Sequence, residues 1–262
     1  MVYMKEGERV DDLYHQGLRV IQNPVAPGFS MDAVILADFA QIHNGDHVID
    51  LGTGCGVISL LLAHKVSQCH IVALELMPSM ADMAGRSVEL NGLSRQISVI
   101  CGDIRKAANN FGKSTFDVVV SNPPYYKEGA GRISKNPLRA AARSETYCSL
   151  DELLDATVAL LKPLGRFYIV HRAERLSEVL SAGEFRKLHC TQLRMVQSRI
   201  DCPANLFMAQ FTLGGREQLV VKPPLVVYAG ENMYSSEMCR IYQGWKEDSL
   251  VRNSICGSDA HR

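Results

Sequence analysis

A strand, a glycine turn and a helix follow one another between His47 and Leu62, and nothing else in the chain restricts its fold as much. The run reads His47-Val48-Ile49-Asp50-Leu51-Gly52-Thr53-Gly54-Cys55-Gly56-Val57-Ile58-Ser59-Leu60-Leu61-Leu62. Its glycines are spaced Gly-x-Gly-x-Gly, where the dinucleotide fingerprint is Gly-x-Gly-x-x-Gly. Glycine at such a turn permits positive φ and close approach of a ligand to the backbone. Asp50, just ahead of the turn, suits a ligand bearing an ammonium group better than a pyrophosphate. The alternation then continues: strand 70–76, helix 78–92, strand 97–102, short helix 105–110 and strand 116–121. Regular βα alternation predicts an α/β fold with a mainly parallel sheet and helices on both faces.

Flanking segments complete the expected layout. Leu13–Asn23, with a Gln16-Gly17 turn, reads as a hairpin, and Ser30 or Asp32 opens a helix to about Ile42. Ser149 begins a helix with an apolar stripe (Leu150, Leu153, Leu154, Val158, Leu161) that is a core face. A strand is expected over Arg166–His171 and a helix from Ala173 to about Lys187. Strands near Cys190–Gln197 and Leu206–Leu213 follow with no helix between them, which suggests an antiparallel hairpin at a sheet edge. Leu219–Tyr228 is an extended apolar segment expected to pack on the domain surface. The expected divisions are residues 1–45 (hairpin and helix), 46–245 (the main domain) and 246–262 (a polar, mobile tail). Gly85, inside the 78–92 helix, is read as a site of tight helix packing.

Chemistry-bearing residues gather at the strand ends, where open α/β sheets bind ligands. Glu75 closes the second strand and is a natural acceptor for ribose hydroxyls. Asp103 follows the third and can accept from an adenine amino group. The fourth, Phe116–Ser121, runs into Asn122-Pro123-Pro124-Tyr125. The Asn122 amide oxygen and the Pro123 carbonyl can accept the two N–H bonds of a planar –NH2 group, the prolines stiffen the turn, and Tyr125 offers a flat face. Taken alone, these four residues fit a proline-terminated strand equally well; with the three acids they form a pattern.

Composition narrows the partners. The chain has 262 residues, 47% of them hydrophobic, enough for one substantial core. Lys plus Arg and Asp plus Glu number 28 each, so overall charge gives no support for nucleic-acid binding. Local charge does: Lys127, Arg132, Lys135, Arg139 and Arg143 stand against Glu128 alone directly after Tyr125 and Tyr126. Cations beside aromatics fit unpaired bases and their phosphates, although a solvated surface loop has the same composition. The eight cysteines show no Cys-x-x-Cys. Cys55 and Cys101 fall in expected core elements, and buried free thiols in a reducing cytosol are expected, with no metal site. Neither a secretory signal nor a transmembrane run is evident, so a cytoplasmic protein, monomeric and without membrane contact, is expected.

These motifs resemble the Rossmann-like S-adenosylmethionine-dependent methyltransferases, in the amino-methylating branch with an Asn-Pro-Pro-Tyr signature, and within it the bacterial tRNA1(Val) adenine-N6 methyltransferase family. The likeness runs from about Leu13 to Gln243, through Phe29–Phe39, Arg139–Glu145, Pro203–Phe207 and Pro223–Leu225. The resemblance implies a class I methyltransferase fold: a seven-stranded, mostly parallel sheet with an antiparallel hairpin at one edge. It implies S-adenosyl-L-methionine as cofactor, with Gly52, Gly54 and Gly56 under its methionine portion and Asp50 near the ammonium. Glu75 would take the ribose and Asp103 the adenine, with Met77 and Ile104 as apolar walls and Asn122 beside the methyl. The implied substrate is an adenine in a tRNA anticodon loop, next to the anticodon.

Other substrates share the planar amine. A release-factor glutamine methyltransferase is one, but its family carries an N-terminal helical domain, and the first sheet strand here begins by His47. A guanine-amine rRNA enzyme, a DNA adenine enzyme and a non-catalytic cofactor- or RNA-binding protein are the others. An intact amine clamp is of no use to a pure binder.

Overall fold

The computed structural model describes residues 3–13, 17–25, 28–125, 148–216, 218–231 and 233–243. Alternate residues along its central strands face opposite helical layers, as the two-residue period of a strand requires. Strands β3 (His47–Leu51), β4 (His70–Glu75), β5 (Ile97–Cys101) and β6 (Phe116–Ser121) form its parallel half. Val118 and Val120 of β6 join a core built with α1 (Met31–Phe39), α2 (Val57–Lys65) and α3 (Pro78–Leu90). Val119, between them, joins a second core with α4 (Ala107–Phe111), α5 (Leu150–Leu160) and α6 (Leu176–Phe185). A reciprocal capping box starts α5: Ser149 Oγ accepts from the Glu152 amide, and Glu152 accepts from the Ser149 amide.

Among the described residues the sheet has eight strands, in the order β10-β8-β9-β7-β6-β3-β4-β5, adding β7 (Leu161–Arg172), β8 (Leu188–Gln197), β9 (Ala204–Leu213) and β10 (Val220–Val226). Three expectations are corrected here. The 219–228 segment is not merely laid on the surface: β10 pairs parallel with β8 and makes the eighth strand. The antiparallel pair β8–β9 is therefore interior, and β9 alone runs against the other strands. Strand β7 also begins before Arg166. Leu161 already pairs with Phe116, and the Lys162–Gly165 stretch bulges out before Arg166 takes up pairing with Val118.

The N-terminal hairpin, β1 (Arg9–Asp12) with β2 (Arg19–Gln22), is fastened to α3 by polar contacts. Arg86, buried, grips both oxygens of Glu8 at 2.7 and 2.6 Å and reaches Asp82 at 2.7 Å. Ile21 donates its amide to Ser87 Oγ, and Arg19 donates its own to Asn91 Oδ1. Losing Glu8 would leave Arg86 paired with the more exposed Asp82 alone and loosen the hairpin from α3. A short hairpin of β11 (Tyr228–Gly230) and β12 (Met233–Tyr234) leads into α7 (Ser236–Gln243), tied by stacking of Tyr234 on Tyr228 and Tyr242. No helix among the described residues is long and apolar enough to cross a membrane.

Two further expectations change. Cys55 is buried, but Cys101 is exposed on the edge strand β5. Gly85 is not a packing glycine, since a Cβ there would meet nothing within 4 Å. Close packing falls instead at Gly183 in α6, where a Cβ would stand 2.9 Å from Phe211. The two glycines therefore predict opposite outcomes. Gly85→Ala raises stability by up to about 1 kcal/mol, the helix-propensity difference, and Gly183→Ala lowers it by about 1–3 kcal/mol through overpacking. Urea unfolding of the two variants checks both signs.

Candidate active site

The C-terminal ends of β3, β4 and β6 meet around a cleft of about 690 Å³. Strand order reverses between β3 and β6, the switch point at which such sheets bind ligands. Ser121 Oγ donates to the Leu51 carbonyl at 2.8 Å, so the two strands are hooked together just before their loops diverge.

The glycine loop leaves β3. Gly52, Gly54 and Gly56 have φ of 77°, 62° and 91°, all in the left-handed region. The amides of Gly52 and Thr53 both donate to the Leu74 carbonyl of β4. A Cβ on Gly52 would meet no atom of the described residues within 4 Å, and that face opens into the cleft. Gly56 plays a different part: a Cβ there would come within 3.4 Å of Ala84, so its bareness lets α3 pack against the start of α2.

Asp50 lies behind this loop, fully buried. Its Oδ2 accepts from Thr53 Oγ1 at 2.6 Å and Ser59 Oγ at 2.8 Å, while its Oδ1 has no partner among the described residues. Burial raises its pKa to about 6 against the pull of the two hydroxyls. Glu75, also buried, braces the cleft wall. Its two oxygens accept from the Gly54 amide at 2.8 Å and the Met77 amide at 2.9 Å, and burial raises its pKa. Each oxygen keeps a second acceptor site.

Asp103 lines the cleft but is not a free acceptor. Arg105 grips its carboxylate, with a shortest contact of 2.6 Å, and holds its pKa below the usual carboxylate range. Met77 and Ile104 stand on the wall with it.

Asn122, Pro123, Pro124 and Tyr125 form the far wall. Tyr125 Oη lies 2.7 Å from Asn122 Oδ1 and 2.7 Å from Asp32 Oδ2 in the first turn of α1. Burial first, then the Asp32 charge, pushes the phenol well above its ordinary pKa, so it keeps its proton. The Tyr125 ring leans on His171 at the end of β7, centroids 5.4 Å apart. Burial lowers the His171 pKa to about 4, so that imidazole is neutral at pH 7.

Of the residues singled out in the sequence, the cleft thus gathers Gly52, Gly54, Glu75, Met77, Asp103, Ile104 and Asn122–Tyr125. Asp50 and Gly56 stand behind its wall. Lys127, Arg132, Lys135, Arg139 and Arg143 lie outside the described residues. Sequence reasoning missed Asp32, Arg105, His171, and the Thr53–Ser59 pair on Asp50. Ser59 carried a signal: it is the one polar residue in the apolar run Val57–Leu62.

Residues 42–216 match the family described as Methyltransferase domain. The chain belongs to that family. This methyltransferase is similar over most of its length to proteins named tRNA1(Val) (adenine(37)-N6)-methyltransferase. The one from Bacteroides fragilis is 25% identical over 210 residues, 80% of this chain and 86% of that one. The one from Aeromonas salmonicida is 28% identical over 211 residues, again 80% and 86%, and that of Histophilus somni 29% over 224, covering 85% and 91%. Among solved structures, a predicted O-methyltransferase from Agrobacterium tumefaciens superposes with a TM-score of 0.66 at 18% identity, covering 81% of this chain and 95% of that one. The tRNA m1G37 methyltransferase of M. jannaschii gives 0.57 at 13%, covering 80% and 55%. Both likenesses are of fold.

The methyl donor of this methyltransferase is S-adenosyl-L-methionine, and the chain's own atoms fit it. The cleft is of ligand size, Asp50 Oδ1 is an orphaned acceptor suited to an ammonium, and Glu75 retains lone pairs for ribose hydroxyls. The same orphaned charge makes a stability prediction. Unfolded, Asp50 ionises near 3.8, and folded, near 6. Between those values the folded chain keeps a proton that the unfolded chain has lost, so this group's contribution falls as pH rises through the window and stays low above it. Asp50→Asn keeps an acceptor for both hydroxyls without the charge. Ligand-free, it is expected to be more stable than wild type at pH 8 by up to about 3 kcal/mol, with the advantage vanishing towards pH 4. Denaturant titrations at several pH values check this.

Proposed function

We propose that this methyltransferase methylates the exocyclic N6 of an adenine in tRNA, at the position beside the anticodon. The observation that carries the reading is the Asn122-Pro123-Pro124-Tyr125 corner, which forms the wall of the cleft next to the open face of the glycine loop. The names of its relatives support the choice of base and RNA.

S-adenosylmethionine supplies an already activated methyl group on a sulfonium, so the protein's task is chiefly positioning. Gly52 and Gly54 would leave room for its methionine portion, Asp50, just behind that loop, would supply the unpaired acceptor for the ammonium, Glu75 would take the ribose hydroxyls, and Met77 and Ile104 would flank the adenine. Asp103, already engaged by Arg105, would offer its remaining lone pairs to the adenine amine. The substrate amine is a poor nucleophile because its lone pair is delocalised into the ring. Asn122 Oδ1 and the Pro123 carbonyl accept its two N–H bonds, which draws the nitrogen towards tetrahedral geometry and localises that pair. Tyr125 supplies the flat face. A base has to leave its stack to reach this corner, which costs a few kcal/mol and least in an unpaired loop.

Asn122→Ala is expected to lower methyl transfer to tRNA a hundredfold or more, in line with the removal of one preorganised polar group from a transition state (roughly 10²–10³), with cofactor affinity kept. Labelled cofactor offered to tRNA, rRNA, DNA and release factor, followed by nuclease mapping of the product, checks both the residue and the base. Near-normal transfer by the variant would sink the clamp. The basic stretch is assigned to tRNA phosphates. Reversing Lys135, Arg139 and Arg143 together is expected to weaken tRNA binding and flatten its salt dependence by about 0.7–0.9 in log–log slope for each phosphate no longer neutralised. Titrations at several salt concentrations read this directly.

A further inference from the structure

One phenol proton stands between two acceptors. Tyr125 Oη is 2.7 Å from Asp32 Oδ2 and 2.7 Å from Asn122 Oδ1, both of them acceptors. A hydroxyl has one proton to give and lone pairs with which to accept. If the proton goes to Asp32, the phenol oxygen and Asn122 Oδ1 are left facing each other with lone pairs alone, and a half-turn of the carboxamide relieves this: its N–H then donates to the phenol and its oxygen turns towards the cleft. If Asp32 is removed, the proton goes to the Asn122 oxygen instead. The carboxamide then presents its NH2 to the cleft, a donor facing the donors of an incoming amine. The two arrangements occupy the same volume and differ only by a half-turn of the amide, so packing does not choose between them. The charge does: hydrogen bonds to a carboxylate are roughly twice as strong as those between neutral groups.

We propose that Asp32 is a positioning residue for methyl transfer: acting through the Tyr125 hydroxyl, it fixes which end of the Asn122 carboxamide faces the substrate amine. The proposal rests on the amine-clamp reading given above. It assigns a task in the reaction to the first turn of α1, far upstream of the proline corner. Asp32 also stands where an acid favours a helix N-terminus, and that merely structural role has to be separated from the relay.

The experiment is a double-mutant cycle on the full chain, with single-turnover methylation of tRNA at saturating S-adenosylmethionine. Asp32→Ala is expected to lower the rate at least tenfold, with cofactor affinity, tRNA affinity and thermal midpoint close to wild type. In a Tyr125→Phe background there is no phenol proton to misdirect, so adding Asp32→Ala is expected to cost less than about twofold more. An equal loss in both backgrounds overturns the proposal, because Asp32 then acts through α1 or the cofactor. So does an Asp32→Ala variant with wild-type rate. Asn122→Ala in the same assay separates the two claims: if it retains activity, the clamp itself is wrong, and if it is dead while the cycle is additive, only the relay is.

Discussion

The pairing of β3 with β6 is the constraint on which everything at the cleft depends. These strands come from distant parts of the chain, and each leaves the sheet by a loop whose conformation is preset, by glycines in one and by prolines in the other. Parallel pairing puts both loops at the same end of the sheet. The Ser121–Leu51 hydrogen bond fixes their spacing at the last residues before they part. The glycine loop and the proline corner, proposed above as the cofactor and amine sites, are thereby set side by side by backbone register.

Around that junction the protein buries charge that a purely structural core would avoid. Asp50 and Glu75 are both held from solvent, and burial pushes both towards the protonated form. Glu75 is compensated by two backbone amides, so its burial also stitches the glycine loop to the start of α3. Asp50 is compensated on one oxygen only. A half-satisfied buried carboxylate is unfavourable in the empty protein and becomes favourable when a cation arrives, which is how a binding site stores its selectivity.

The sequence conveyed what short-range rules encode. Strand–helix alternation from His47 to Ser121, the Ser149 cap, and the acids at the ends of β3 and β4 or just past β5 all follow from local period or local capping. What it withheld depends on pairs distant along the chain. Leu219–Tyr228 was apolar and extended, but nothing local says that it pairs with β8. Glu8 and Arg86, or Asp32 and Tyr125, meet only after the sheet has formed. Arg105 is the exception, since a cation two residues after Asp103 was legible and its pairing was overlooked. Gly85 shows the converse: the departure from helix propensity was visible, and the reason assigned to it was wrong, because a glycine's neighbours cannot be read from its own position.

The strand that completes the sheet also closes it. Pro223 and Pro224 sit where the pairing of β10 with β8 slips between Lys222 and Leu225, and Arg194 spends its Nε on the Pro223 carbonyl. Neither proline has an N–H to offer a newcomer. Although Leu219, Val220 and Val221 are exposed nearby, a further strand arriving at this border would find a broken ladder of donors. Growth of the sheet past this border is thus discouraged by its own last member, which offers an arriving strand no unbroken row of partners.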